Sequence, residues 1–514
     1  MVRRVLAVLA GAGCYAAALP PFDHPIAGWL TLVPLLLVVR RRRPLAAGGF
    51  GALYGFACGW AVTWWLTGAV ASYFAAGIVA GAVAMSAAYL VAIGATFGAF
   101  AAGAAVLMRH GGGFPTQIAI AALWVACELV RGRVFGQPWA LLGYTQHDVT
   151  PLLQLTAATG IYGLSFVVAL GSVGIADALA ALRGPGRRAA LRRLAGPAAV
   201  VIGVALAGEI RVARGLAPAA GARAVVVVQS NVPPAFHWTR AFAEAQFLAN
   251  VRLTETIAQA TRPALVVWPE NAVTLYLEHE PFVARTLARL AARLDADLLI
   301  GGPRWAAGRT YNSVRLVRPD GTAGGHYDKR RLVPFAESPP LAVPSEAGPL
   351  ESPRAFSPGT DPGLLAGFTR LGVSICHELL YPDVVHDAVA AGATVLVNVA
   401  NDGWLDAGHG IGSRQHFAMA KVRAVEAQRF LVRAATTGVS AVVDPFGRTV
   451  TAAPTGLATI ASAQVVPETA LTPYVRFGDW FAFACLAWAL VALARALGAP
   501  AAADRVRQPE PVPV

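Results

Sequence analysis

One thiol stands apart in this sequence. Of five cysteines, Cys14, Cys58, Cys127 and Cys485 fall in long apolar stretches, and only Cys376 lies in a stretch with ordinary charge content. No disulfide can form within that stretch. A solitary thiol is either a small buried hydrophobe at a strand end or a nucleophile. A nucleophile needs its proton removed and its negative charge met. Two residue types in the same stretch could do this. Glu270 follows Trp268-Pro269 at the end of an apolar run, a costly place for a carboxylate without a partner. It could instead be an acid at a helix start, favoured by the helix dipole. Lys329, in Tyr327-Asp328-Lys329-Arg330-Arg331, is either a solvated hairpin end or the cation that stabilises an oxyanion. Base, cation and thiol together would make an acyl-transfer site.

His377 offers a rival, a Cys–His pair. If strand geometry continues through Cys376, the two neighbours point to opposite faces, and His377 is then a poor base for the thiol. No metal or cofactor is expected. His279, His326, His386, His409 and His416 lack zinc-ligand spacing. Gly301-Gly302 lacks the Gly-Lys-Ser/Thr ending of a phosphate loop.

Elements must place these groups together. Continuous apolar runs at 224–228, 264–268, 297–301, 372–376 and 394–399 read as strands buried on both faces. Helical patterns lie between them, at 242–260, 281–294 and 413–429. Turn residues at Pro319-Asp320-Gly321 and Asp444-Pro445-Phe446-Gly447 mark hairpins. Glu270 and Cys376 fall at strand ends, where open α/β sheets build their sites.

The surrounding chain is of another kind. Charged residues make up 14% of its 514 residues, against about 25% in ordinary soluble domains, and the mean hydropathy is +0.54. Between Arg43 and Arg109 there is no Asp, Glu, Lys, Arg or His. A spanning helix needs about 20 apolar residues. Spans are predicted at 4–20, 24–39, twice within 44–108, and at 115–132, 152–181, 194–210 and 476–497, about eight in all. No segment between 215 and 470 qualifies. The Arg3-Arg4, Arg40–Arg43, Arg109 and Arg183–Arg193 clusters then mark cytoplasmic loops, which requires two spans rather than three within 44–108. The net charge of +13 belongs to these loops and not to a nucleic-acid surface. Arg3-Arg4 and the apolar run after it also resemble a cleavable signal, but the further spans favour an uncleaved first helix. The expected organisation is a membrane domain over 1–212, an extracytoplasmic catalytic domain over 213–470, a final span over 471–498 and a cytoplasmic disordered tail over 499–514.

Trp268-Pro269-Glu270, Tyr327-Asp328-Lys329 and Ser374-Ile375-Cys376-His377-Glu378 resemble the Glu–Lys–Cys blocks of the nitrilase superfamily. Leu332-Val333-Pro334-Phe335-Ala336-Glu337, Asn398-Val399-Ala400-Asn401-Asp402-Gly403-Trp404, Gln415-His416-Phe417 and Arg423-Ala424-Val425-Glu426, set in the membrane frame, are similar to the apolipoprotein N-acyltransferase family. The resemblance covers nearly the whole chain, with its blocks in order. It implies an α-β-β-α sandwich, with Glu270 as base, Lys329 as the triad lysine and Cys376 as nucleophile. Glu337, Glu378, Trp238 and Trp404 would shape the site. Two departures touch the acyl pocket: His377 stands where the family commonly has Tyr, and Ser338 where an aromatic is often seen.

The implied reaction moves an acyl chain from a phospholipid, through a thioester on Cys376, to the N-terminal amine of a diacylglyceryl-cysteine in an apolipoprotein. The partners would be phospholipid, diacylated lipoprotein and the membrane. The chain would act as a monomer in the bacterial inner membrane. Phe236, Trp238 and Trp404 could form an apolar rim that limits water. A membrane-anchored amidase using water as acceptor has the same triad and stays open here. A transporter would need intramembrane charges, and the spans offer little beyond Glu128. An inactive scaffold would tolerate loss of a triad member, yet all three are present.

Overall fold

The computed structural model describes residues 1–73, 77–216, 221–232, 239–256, 261–334, 336–338, 355–406 and 409–498. Contacts divide the chain into two units. One comprises Met1–Thr67, Ala76–Ala213 and Asp479–Val514, and the other Gly68–Ala75 and Arg214–Gly478.

The first unit is helical. Among the described residues six helices are long and apolar enough to cross a membrane: Pro44–Thr63, Ile78–His110, Phe114–Arg133, Ile161–Leu182, Arg187–Arg214 and Trp480–Gly498. Two long helices thus occupy the charge-free stretch after Arg43. The first two expected spans are shorter in the structure than the sequence suggests. The first helix, Val2–Ala17, has 16 residues. The run over 24–39 breaks into Pro25–Gly28 and Val33–Val39, each with a proline in its first turn, where proline starts a helix rather than continuing one. The run predicted at 152–181 begins its long helix only at Ile161, after Gly160 at φ 64°.

Polar side chains in this unit satisfy irregular backbone, as a membrane interior demands. Buried Glu128 accepts from Leu142 N at 2.7 Å, and buried Arg131 donates to Ala140 O at 3.2 Å. Gln117 bonds Asp177 at 2.9 Å and Arg193 O at 3.0 Å.

The second unit is a four-layer α-β-β-α sandwich, as the resemblance implies. Its strands are β1 (Arg223–Gln229), β2 (Leu265–Val267), β3 (Asp297–Ala306), β4 (Arg309–Val317), β5 (Ala323–Asp328), β6 (Leu364–Ala366), β7 (Arg370–Ile375), β8 (Val395–Ala400), β9 (Leu431–Ala435), β10 (Ala441–Val443), β11 (Thr449–Ala452) and β12 (Thr459–Val465). One sheet runs β12-β1-β2-β3-β4-β5 and the other β11-β10-β9-β8-β7-β6. Each has a parallel centre, β1-β2-β3 and β7-β8-β9, with antiparallel flanks.

Alternation along the strands explains the layers. Val225, Val227, Leu265 and Val267 face Val373, Ile375, Val397 and Val399 in the core between the sheets. Their neighbours Val226, Val228, Val266 and Trp268 pack outward on helices Arg240–Glu255 and Pro281–Leu294. Leu396 and Leu431 pack outward on helices Pro382–Ala390 and Ile411–Ala427. Both faces of the central strands are therefore apolar, which is why they read as unbroken runs. Each fully buried Val or Leu contributes roughly 1.5–3 kcal/mol. Both expected hairpins form, β4–β5 and β10–β11.

Candidate active site

The site lies where the parallel strands of both sheets end. Strand β2 stops at Val267, and Trp268-Pro269 carry the chain to Glu270. Trp268 is fully buried and donates its indole N–H to Thr254 Oγ1 at 2.9 Å. The backbone of β3 presses on this turn: a Cβ at Gly301 would come within 2.4 Å of Pro269 O and 2.7 Å of Glu270 Cα. Glu270 is 5% exposed and does not start a helix. One carboxylate oxygen accepts from Asn312 Nδ2 at 2.7 Å and the other from Asn401 N at 2.8 Å. Thr436 Oγ1 donates to its carbonyl at 3.3 Å.

Lys329 follows β5, and its N–H bonds Asn312 O on β4 at 2.8 Å. It is 1% exposed, which removes the solvated-hairpin reading. Its ammonium lies 2.8 Å from Glu337 Oε1 and 3.5 Å from Glu270 Oε1. Asn312 Nδ2 also reaches Glu337 Oε1 at 2.9 Å, and Val333 N donates to Glu337 Oε2 at 2.7 Å. Burial disfavours the Lys329 charge. The two carboxylates and the nearby Cys376 outweigh it and hold the amine above its ordinary pKa, so it stays cationic.

Cys376 comes directly after β7 and begins a short 3-10 helix, Cys376–Leu380, with φ +52°. The strand does not continue through it. The premise that His377 points away by strand alternation therefore fails, because a left-handed residue reverses the chain at that point. Burial, then the Glu270 charge, pushes the Cys376 thiol well above its usual pKa, against the pull of Lys329. The thiol is the resting form, and attack needs a base.

Among the described residues His377 makes no hydrogen bond that would let it act as that base. Both ring nitrogens are buried and have no hydrogen-bond partner among the described residues, and the ring sits edge-on to Tyr381 with centroids 5.6 Å apart. Burial, then the Lys329 charge, drives its pKa well below the ordinary value.

Glu378 is a hub of hydrogen bonds. It is fully buried and accepts from Ile375 N (2.8 Å), Arg330 N (2.7 Å), Arg331 N (3.0 Å) and Tyr327 OH (2.9 Å). It ties the turn holding Cys376 to the segment after Lys329. Trp238 and Phe236 lie outside the described residues. Trp404 is in the short helix Gly403–Asp406, and its side chain is likewise outside them.

Sequence reasoning missed a buried polar network beneath the nucleophile. Asn398, on β8, donates to Ser374 O at 3.2 Å and Cys376 O at 3.3 Å. Arg433, on β9, donates to Asn398 Oδ1 and to Asp402 Oδ2, the latter at 2.6 Å. His416 Nδ1 lies 3.0 Å from Asp402 Oδ1. All four side chains are 0% exposed. Burial alone would raise the Asp402 carboxyl, but Arg433 and His416 hold it down to about 2. Register explains the convergence. Ile375 pairs with Val399 and Ala400 with Ala435, so Asn401 and Thr436 leave β8 and β9 side by side, and Cys376 leaves β7 one position earlier in register. Asn398-x-x-Asn401-Asp402 was visible as a polar break after an apolar run. Nothing near it in sequence points to Arg433 or Asn312.

The chain matches the carbon-nitrogen hydrolase family over residues 224–474 and the apolipoprotein N-acyltransferase N-terminal domain over residues 11–174. It is 32% identical to an apolipoprotein N-acyltransferase of Geobacter metallireducens, covering 96% of this chain and 95% of that one. It is also 32% identical to one of Pseudomonas putida, covering 95% and 96%. Among solved structures it resembles Nit3 of Saccharomyces cerevisiae, with a TM-score of 0.37, 20% identity and coverage of 50% of this chain and 92% of that one. With full-length identity above 30% and both domains matched in order, the chain belongs to the apolipoprotein N-acyltransferase family.

Proposed function

We propose that this chain moves an acyl group from a phospholipid to the N-terminal amine of a diacylglyceryl-cysteine in an apolipoprotein, through a thioester on Cys376. One observation carries the reading. The sole thiol of the sandwich unit sits in a left-handed turn and feels the charges of a Glu270–Lys329–Glu337 cluster bonded together.

Glu270 takes the Sγ proton, and sulfur bonds the ester carbonyl carbon. Lys329 faces the oxyanion that forms, the kind of fixed charge that contributes most to acyl transfer. The ester C–O bond then breaks, and the lysophospholipid leaves with the proton from Glu270. In the second half, the acceptor amine attacks the thioester. Its nitrogen bonds the acyl carbon, the C–S bond breaks, and the amine proton passes by way of Glu270 to the thiolate. Glu337 holds Lys329 in place while Glu270 carries the proton. Asn312 Nδ2 and Asn401 N fix both Glu270 oxygens, which leaves the carboxylate oriented in either protonation state.

Both substrates are lipids, which supports a site near a membrane surface. The arginine-rich loops support a cytoplasmic N-terminus and a sandwich unit on the periplasmic side of the inner membrane. The chain acts as a monomer in this reading.

The test is intact-protein mass spectrometry of full-length protein in detergent with phospholipid, followed by a diacylated lipopeptide. Wild type should gain one acyl mass and Cys376→Ala none, and the lipopeptide amine should remove it. Loss of the adduct to water at the same rate, with no acylated peptide, would make the chain a hydrolase instead.

A further inference from the structure

The helical unit carries a feature that the reaction does not use. Helices Ile78–His110, Phe114–Arg133 and Trp480–Gly498 leave an open cavity of about 230 Å³. Leu107, Ala119, Trp488 and Ala492 wall it, and His110 and Arg495 rim it. All lie at one end of these helices. His110 closes the first, Phe114 opens the second, and Arg495 is in the last turn of the third.

That end is rich in cations. Arg109 donates to Arg42 O at 2.6 Å, which places the Arg40–Arg43 run beside it. The Arg193 guanidinium lies 3.5 Å from the Cβ position of Gly112. Among the described residues, Arg109, Arg193 and Arg495 have no carboxylate within ion-pair distance. Among the described residues His110 Nδ1, a buried atom, has no hydrogen-bond partner. Such an arginine-rich end faces the cytoplasm.

We infer that this groove binds one anionic phospholipid of the cytoplasmic leaflet, with its phosphate on His110 and Arg495 and an acyl chain along Trp488 and Ala492. Three observations select this occupant. The apolar wall opens on a lipid-facing surface, where Trp488, Leu490 and Val491 are 48%, 59% and 46% exposed. The two basic lining residues, His110 and Arg495, both stand at the ends of their helices. Among the described residues Arg495 has no carboxylate partner, so a net negative headgroup fits and a zwitterionic one brings its own cation into a basic site. This lipid is separate from the acyl donor and is not consumed.

Native mass spectrometry of the full chain in detergent tests the inference, with dioleoyl phosphatidylglycerol and dioleoyl phosphatidylcholine as probes. Wild type should retain one phosphatidylglycerol with roughly tenfold preference over phosphatidylcholine. His110→Gln with Arg495→Gln should abolish the preference. Ala492→Trp, which fills the groove and leaves the cations, should abolish retention. The thermal midpoint of each variant reports that it is folded. Equal retention of both lipids by wild type overturns the inference, as does a preference that survives the charge variant or retention that survives Ala492→Trp. Displacement by inorganic phosphate at matched concentration would mark a free-anion site and overturn it as well.

Discussion

Cys376 holds a conformation that glycine adopts without strain and other residues do not. A Cβ in the left-handed region costs roughly 1–2 kcal/mol. The turn persists because Glu378 and Asn398 hold its backbone on both sides. Cys376→Gly should therefore be more stable than Cys376→Ala by about 1 kcal/mol, while neither gains an acyl mass. Urea unfolding of the two variants checks this, and equal stability would mean the turn is not strained. His377 gives a second prediction. Its pKa is lowered in the folded chain by burial and then by Lys329, below the unfolded value of about 6.5. The unfolded chain thus binds the proton first. The stability linked to this ring is complete above about pH 6.5 and declines as pH falls through the window beneath it. His416 is depressed too, chiefly by burial, and contributes a similar slope. The thermal midpoint of wild type should fall more steeply from pH 7.5 to pH 5.5 than that of His377→Phe, which keeps the His416 part. Parallel profiles would remove His377 from the account.

At the scale of elements, the site depends on two braces that carry no chemistry. The Glu378 carboxylate gathers four donors from the ends of β5 and β7. Burial raises its pKa against the pull of the backbone N–H groups of Arg331 and Ile375. Glu378→Ala leaves the buried N–H of Ile375 and the partly buried N–H groups of Arg330 and Arg331 without this acceptor, and at about 1–3 kcal/mol for the buried one and less for the others it should destabilise the sandwich. Glu378→Gln keeps the shape and should cost less. The Asn398–Arg433–Asp402–His416 network is the other brace. Arg433→Met would leave the Asp402 carboxylate buried without its cation, a change worth about 3–5 kcal/mol. Because Asn401 N holds Glu270, acyl-adduct formation should slow even where the variant is folded. Single-turnover adduct formation at low temperature, measured alongside circular dichroism, separates the two effects. A folded variant with the wild-type rate would confine the network to stability. The braces were only half legible in sequence. Glu378 was visible as a charge beside the thiol, and Asn398 and Asp402 as a polar break. Their partners Tyr327, Arg433 and Asn312 lie 51, 35 and 42 positions from Glu378, Asn398 and Glu270 respectively, and no local pattern spans such distances.

For the whole molecule, the proposed placement of the sandwich outside the cytoplasm rests on the arginine-rich loops and can be tested by labelling. Asp320→Cys, in the exposed turn between β4 and β5, should react with an impermeant maleimide in cells whose outer membrane is opened. Arg188→Cys should react only after the inner membrane is permeabilised. The reverse pattern would put the catalytic unit in the cytoplasm. Sequence alone determined the two kinds of chain, because charge-free stretches and unbroken β-branched runs report the solvent each segment meets. It determined most strand positions, and helix Pro281–Leu294 to the residue. It also singled out Glu270, Lys329 and Cys376, since a carboxylate, a lysine and a lone thiol at strand ends conflict with burial unless they meet. Spans cut short by prolines were read as continuous, because hydropathy averages over the breaks. Tertiary structure alone decided the left-handed turn at Cys376, the bracing role of Glu378 and the buried network below the thiol. Those depend on the register and facing of two sheets, where hydrogen-bond geometry between distant residues, rather than local composition, sets the free energy.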